Sequence, residues 1–294
     1  MANCRSAITV FLVICLTPAK ICNGLSSPTM IHENPNERIA PELEKKYIIQ
    51  VTDWVSTALG DTGPFEEGEK VQSKIERYAS ARTLSRDLNI DSAHRGPLSS
   101  HELVYGELSV PVLATILDAV GIRKGEKFLD IGSGDGALVL GTSILYPDHI
   151  ERSRGVELVP GLVNRSNEHR KKLKDVLLES EHSDLAKVLD CVEFMSGDIY
   201  QSELPLLAVL SDTTLTVCFA TTWSLINADG STTSLDGRRL PKLSGALTRL
   251  PKGARIVIVD GKLDEADGYR WEGDLRITCP DTAPYSIASL YSRL

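Results

Sequence analysis

Phe128-Leu-Asp-Ile-Gly-Ser-Gly-Asp-Gly136 is an apolar run that closes on an acid and then on three alternating glycines. It reads as a buried strand turning sharply into a helix, Ala137-Leu-Val-Leu-Gly-Thr-Ser-Ile-Leu145. Glycines 132, 134 and 136 admit backbone torsions that other residues resist and let a ligand approach the main chain. The unpaired amides that open the helix favour electronegative ligand groups. On either side of this stretch the pattern alternates between strand and helix. The expected strands are Lys127–Ile131, Arg154–Leu158, Cys191–Met195, Leu215–Phe219 and Ala254–Asp260, and the expected helices are 109–120, Gly161–Glu179 and Leu243–Leu250. That alternation predicts a doubly wound, Rossmann-like α/β sheet. Two closing stretches, Tyr269–Cys279 and Tyr285–Tyr291, read as an antiparallel strand pair at one sheet edge.

Open α/β sheets bind ligands beyond the carboxyl ends of their strands. Asp130, Glu157 and Asp198 end the first three predicted strands, so three carboxylates fall on one rim. Two cofactor classes compete for the loop. Gly132-x-Gly134-x-x-Ala137 satisfies the loose dinucleotide pattern. A pyrophosphate resting on that loop, however, calls for an apolar residue where Asp130 stands. A carboxylate there suits a ligand with an ammonium group and no phosphate, which is S-adenosylmethionine. Glu157 then suits a ribose diol, Asp198 the adenine amino group, and Ile199 the adenine face. Gly132, Ser133, Gly134 and Gly136 complete the expected cradle.

The rest of the chain bounds this reading. Its 294 residues suffice for one sizeable domain with an accessory segment. A net charge of −8 argues against a general nucleic-acid binder, and Arg170-Lys-Lys-Leu-Lys174 reads as a solvated helix face. Residues 1–24 have the order of a secretory leader: Arg5, then the apolar run Ala7–Leu16, then Pro18 and small residues. That run is shorter than a membrane span, and no other stretch is apolar enough, so no membrane association is expected once the leader is removed. Residues 25–98 read as a linker followed by a helical N-terminal cap, with helices at Pro41–Leu59 and Gly68–Leu88; residues 99–294 form the catalytic domain. Trp54 falls at core spacing in the first helix. Cys191, Cys218 and Cys279 read as free buried thiols, and no pair has the spacing of a metal or redox site.

Before the first strand, Val104-Tyr-Gly-Glu-Leu-Ser109 leads into a helix, with Ser109 as N-cap and Pro111 in the first turn. Tyr105-Gly106-Glu107, Phe128–Ala137, Gly155-Val-Glu157 and Gly197-Asp198-Ile199 follow one another in that order. In this the chain resembles the Dot1-like lysine methyltransferases, non-SET enzymes of the class I methyltransferase fold. The resemblance implies S-adenosylmethionine as cofactor, with Tyr105, Gly106, Glu107 and Leu108 closing on its methionine end. It implies a protein substrate with an acceptor lysine, a histone in the family's case, and a nuclear address, where the leader instead implies secretory or organellar routing. Tyr105, Glu107, Phe219 and Trp223 are the candidates for the acceptor channel. The chain departs from the family at the end of strand four, where Val217-Cys218-Phe219 stands in place of Asn-Asn-Phe. That departure keeps open a non-histone protein or small-molecule acceptor, or a protein that binds the cofactor without turnover. The Asn/Asp-Pro-Pro-aromatic motif of nucleic-acid amino methyltransferases is absent.

Overall fold

The computed structural model describes residues 40, 42–61, 76–81, 83, 108–201, 204–220, 239–278 and 285–294. The expected leader and linker, Tyr105, Gly106, Glu107, Trp223 and Cys279 lie outside the described residues. Seven strands form one sheet: β1 (Glu126–Ile131), β2 (Ile150–Glu157), β3 (Val192–Ser196), β4 (Leu215–Phe219), β5 (Arg255–Val259), β6 (Tyr269–Ile277) and β7 (Ser286–Arg293). Their order is β3-β2-β1-β4-β5-β7-β6. The first five run parallel, and β7 enters antiparallel between β5 and the edge strand β6. The sheet reverses direction at β1, with β2 on one side and β4 on the other, so the glycine motif stands at the switch point where such sheets bind ligands.

Helices cover both faces, as a buried parallel sheet requires. They are α1 (Lys45–Leu59), α2 (Val110–Val120), α3 (Ala137–Leu145), α4 (Pro160–Glu179), α5 (Ser183–Val188), α6 (Leu204–Asp212) and α7 (Pro241–Leu247). Side chains alternate between two cores with the period-two geometry of a strand. Phe128, Val217, Val257 and Val259 join α1, α2 and α3 on one face. Leu129, Ile131, Cys218, Ile256 and Ile258 meet α6 and α7 on the other.

Three expectations are corrected in extent. β2 begins at Ile150 rather than Arg154, because pairing with β1 draws in the polar residues Glu151 and Arg152, whose side chains stay exposed. Helices α5 and α6 have no counterpart in the sequence reading. Leu204-Pro-Leu-Leu-Ala-Val-Leu210 is apolar nearly throughout, and such a run carries no periodicity to separate helix from strand. α1 starts at Lys45, four residues after the expected Pro41.

The N-terminal cap packs as a helix on the sheet's helical layer. α1 buries Val51, Trp54, Val55, Ala58 and Leu59, and Trp54 meets His182 edge-on with ring centroids 4.7 Å apart. The Tyr47 hydroxyl donates to the Ile144 carbonyl of α3 at 2.5 Å, and burial pushes its pKa up to about 12. The helix stops at Gly60 in a Schellman turn: the amides of Gly60 and Asp61 donate to the carbonyls of Thr57 and Ser56. Among the expected second helix's residues, 76–81 and 83 are helical. None of the helices searched among the described residues is long and apolar enough to cross a membrane.

Candidate active site

The strand ends meet as the sequence predicts, and the register states how. Asp130 lies level with Gly155 on β2 and Val217 on β4. The amides of Gly132 and Ser133 both donate to the Val156 carbonyl, at 2.8 and 3.1 Å, which turns the chain off β1 against β2. The Gly197 amide donates to the Glu157 carbonyl at 3.0 Å, bringing Asp198 to the same rim. Asp130, Ser133, Glu157, Asp198 and Ile199 are all buried, as is Leu108 at the foot of α2. Ser109 occupies the N-cap position of α2 with extended torsions and makes no side-chain capping bond. Phe219 sits half-buried at the end of β4, packed against the α1–α3 core.

The loop between β1 and α3 needs its glycines. Residues 132, 134 and 136 have φ of 78°, 52° and 88°, the left-handed region that side chains disfavour. A Cβ on Gly136 would also lie 2.6 Å from the Phe194 ring. Gly155, opposite the loop on β2, has ordinary torsions and is required by space alone: a Cβ there would lie 2.6 Å from Ser133 Oγ. That Ser133 hydroxyl is buried and has no hydrogen-bond partner among the described residues.

Glu157 holds the site together. Its Oε2 accepts the Gly134 amide at 2.9 Å and its Oε1 accepts the Val159 amide at 3.0 Å, so one carboxylate ties the glycine loop to the start of α4. Burial pushes the Glu157 carboxyl up, the Val159, Gly134 and Leu158 amides pull it back, and the nearby Asp135 charge adds to the rise. An ionised carboxylate has about four acceptor positions, so these amides leave capacity for a ligand hydroxyl. Asp198 accepts the Tyr200 amide through Oδ1 at 2.9 Å and holds the turn after β3 in shape.

Sequence reasoning passed over the most deeply engaged acid. Asp135, between Gly134 and Gly136, is 0% exposed. Its Oδ2 accepts from Arg77 at 2.9 Å and from Arg165 at 2.7 Å. Its carbonyl faces His169 Nδ1 at 3.0 Å, and Ser166 Oγ donates to the Gly134 carbonyl at 2.8 Å. Burial lowers the His169 pKa, with the Asp135 carbonyl and charge opposing and the charges of Arg165 and Arg77 assisting. A neutral imidazole facing a carbonyl must carry its proton on Nδ1, so His169 donates. The glycine-flanked aspartate was visible in the sequence; its partners, 58 and 30 residues away, were not.

The arrangement fits S-adenosylmethionine. Left-handed glycines open a tight turn at a helix start, and the rim supplies carboxylates suited to a cationic ligand with a ribose diol and an amino group. Residues 97–201, about a third of the chain, match the family model described as "Histone methylation protein DOT1". No curated protein matches the chain. Among solved structures, a SAM-dependent methyltransferase from Aquifex aeolicus is 16% identical over 62% of this chain and 89% of that one, with a TM-score of 0.41. The rRNA methyltransferase aviRa from Streptomyces viridochromogenes is 12% identical over 64% and 86%, with a TM-score of 0.45. The matched family segment spans β1, β2, β3, the glycine loop and all three rim carboxylates. Residues 97–201 are thus similar to that family, and S-adenosylmethionine is the cofactor that the loop and rim they carry would fit.

Proposed function

We propose that this protein methylates the side-chain nitrogen of a protein lysine. The observation that carries the reading is the match of residues 97–201 to a family of histone methylation proteins, within which Tyr105-Gly106-Glu107 precedes the catalytic sheet. S-adenosylmethionine supplies an electrophilic methyl group, already activated by its sulfonium. The protein's part is to align the acceptor and keep water away, and such positioning can lower the barrier by about 7–11 kcal/mol. The lysine must also lose a proton before it attacks. A narrow apolar channel lowers its pKa by desolvation, so no dedicated base is needed. Phe219, half-buried at the end of β4, is the described candidate for a channel wall; Tyr105, Glu107 and Trp223 are assigned to it from the family resemblance.

Val217-Cys218-Phe219 favours an acceptor other than a histone. Cys218 is fully buried between β1 and β5, and burial first, then the Asp130 charge, raises its thiol pKa well above the ordinary range. It therefore presents no amide toward the transferred methyl, unlike an asparagine at that place. The test is incubation of the protein with labelled S-adenosylmethionine and, separately, histone octamers, nucleosomes and a cell lysate, with mass spectrometry of the labelled species. Methyl-lysine in histones supports the family substrate, and methyl-lysine in another protein supports the altered channel. Label found only on small molecules or nucleic acid would overturn the lysine assignment.

A further inference from the structure

We propose that the N-terminal segment is a working part of the cofactor site, with Arg77 as the positioning residue that holds the glycine loop through Asp135. Arg77 is 8% exposed and bridges two acids. Its Nη1 donates to Asp135, while Nε and Nη2 make a forked pair with Asp61 at 2.8 and 2.7 Å. Asp61 follows directly on the Schellman turn that ends α1, so the bridge runs from the cap helix to the loop. Arg165 of α4 is a second guanidinium on Asp135, at 2.7 Å. The same short stretch reaches the second loop of the site. Ala81 is buried against Val159 and Leu162, with Tyr78 beside it, and Arg165 Nη1 reaches Ser80 Oγ at 3.3 Å. Val159 is the residue whose amide Glu157 holds. Residues 76–81 thus brace both the glycine loop and the β2–α4 turn, the two segments that Glu157 ties together.

The physical argument is one of unpaired charge. Without Arg77, the fully buried Asp135 keeps Arg165 but loses its other guanidinium, and a buried carboxylate that loses a partner is destabilised unless the loop lets water in. Asp135 sits between Gly134 and Gly136, so a shift of its side chain carries the loop, and with it the Gly134–Glu157 contact, out of place. Cap docking and cofactor binding are then coupled, and coupling is reciprocal: the cofactor must steady residues 76–81 as those residues steady it. The inference rests on S-adenosylmethionine being the ligand of this loop.

The test is calorimetric titration of the full chain with S-adenosylhomocysteine, using wild type, Arg77→Ala, Arg77→Lys and Arg255→Ala. Hydrogen exchange of the peptide containing residues 76–81 is followed with and without the ligand. Arg77→Ala should weaken binding by about tenfold or more, within the ~5–150-fold range of such couplings. Arg77→Lys should recover part of that, since it restores a charge without the fork. Arg255→Ala, a buried ion-pair loss at the far end of the sheet, should lower the melting temperature and leave affinity alone. The ligand should slow exchange at 76–81 in wild type, a readout that stands even if Arg77→Ala does not fold. Wild-type affinity in Arg77→Ala, an equal loss of affinity in Arg255→Ala, or unchanged exchange at 76–81 would overturn the inference while leaving the cofactor in place. Failure of wild type to bind overturns the cofactor assignment and the inference with it.

Discussion

The two ends of the parallel sheet bury charge for opposite purposes. At the amino ends of β1 and β5, the Glu126 carboxylate accepts from Arg255, from the Thr214 hydroxyl and from the Arg123 amide, while Arg255 also donates to the carbonyls of Val120 and Gly121. There the paired charges lock the turns before the strands. At the carboxyl ends Asp135 is paired with Arg77 and Arg165, while two rim acids take backbone amides: Glu157 from Gly134 and Val159, Asp198 from Tyr200. Amide donors orient a carboxylate without supplying an opposite full charge, an arrangement that suits a rim receiving a cationic ligand. Side-chain pairing holds Glu126 at one end, and main-chain amides shape Glu157 and Asp198 at the other.

The sharpest way to break this contrast is Arg255→Ala. Removing one partner of a buried pair costs about 3–5 kcal/mol, and here it should appear as stability lost in chemical denaturation with affinity for S-adenosylhomocysteine unchanged. A large affinity loss would show that the two ends are not separate. The mirror experiment is Asp130→Ala, expected to weaken ligand binding about 100-fold by calorimetry, which corresponds to about 2.8 kcal/mol. Unchanged affinity would remove Asp130 from the site. Gly155→Ala should cost about 1–3 kcal/mol by overpacking, since the added methyl meets Ser133 and Phe194. It should also weaken binding, and Ser133→Gly should relieve part of both effects in the double variant.

The smallest effect is a pH dependence carried by His169. Its folded pKa is lowered below the ordinary 6.5, so between those two values the unfolded chain holds a proton that the folded chain does not. Stability from this group is therefore present above about pH 6.5 and falls on acidification, by at most about 1.4 kcal/mol per pH unit, levelling off below the folded pKa. His169→Gln keeps a neutral donor toward the Asp135 carbonyl and should flatten that part of a melting-temperature profile. An unaltered profile would place the titration elsewhere.

Much of the scaffold was legible because its signals are local. The β1 and β4 runs are short, apolar and bounded by turn residues, and both were read to within a residue of their observed ends. The glycine loop declared itself by composition, and the acids at 130, 157 and 198 by standing at strand ends. Boundaries failed where tertiary pairing overrode polarity, as in the first half of β2, or where a run lacked periodicity, as in α6. Asp135 was in plain view yet unread, since nothing adjacent to it distinguishes a loop acid facing solvent from one buried against two arginines.

The sequence by itself determined the order of the strands, the turn after β1 and the acids on its rim, because each depends on residues within a few positions of one another. Only the tertiary structure decided that Glu157 spends two acceptor positions on the protein's own amides, and that Asp135 is held by Arg77 and Arg165. The Gly134–Glu157, Asp135–Arg165 and Asp135–Arg77 bonds join residues 23 to 58 positions apart, and they form only when β2, α4 and the N-terminal cap pack at the same loop. Hydrophobic patterning carries no record of which charged side chains such packing will bring within 3 Å.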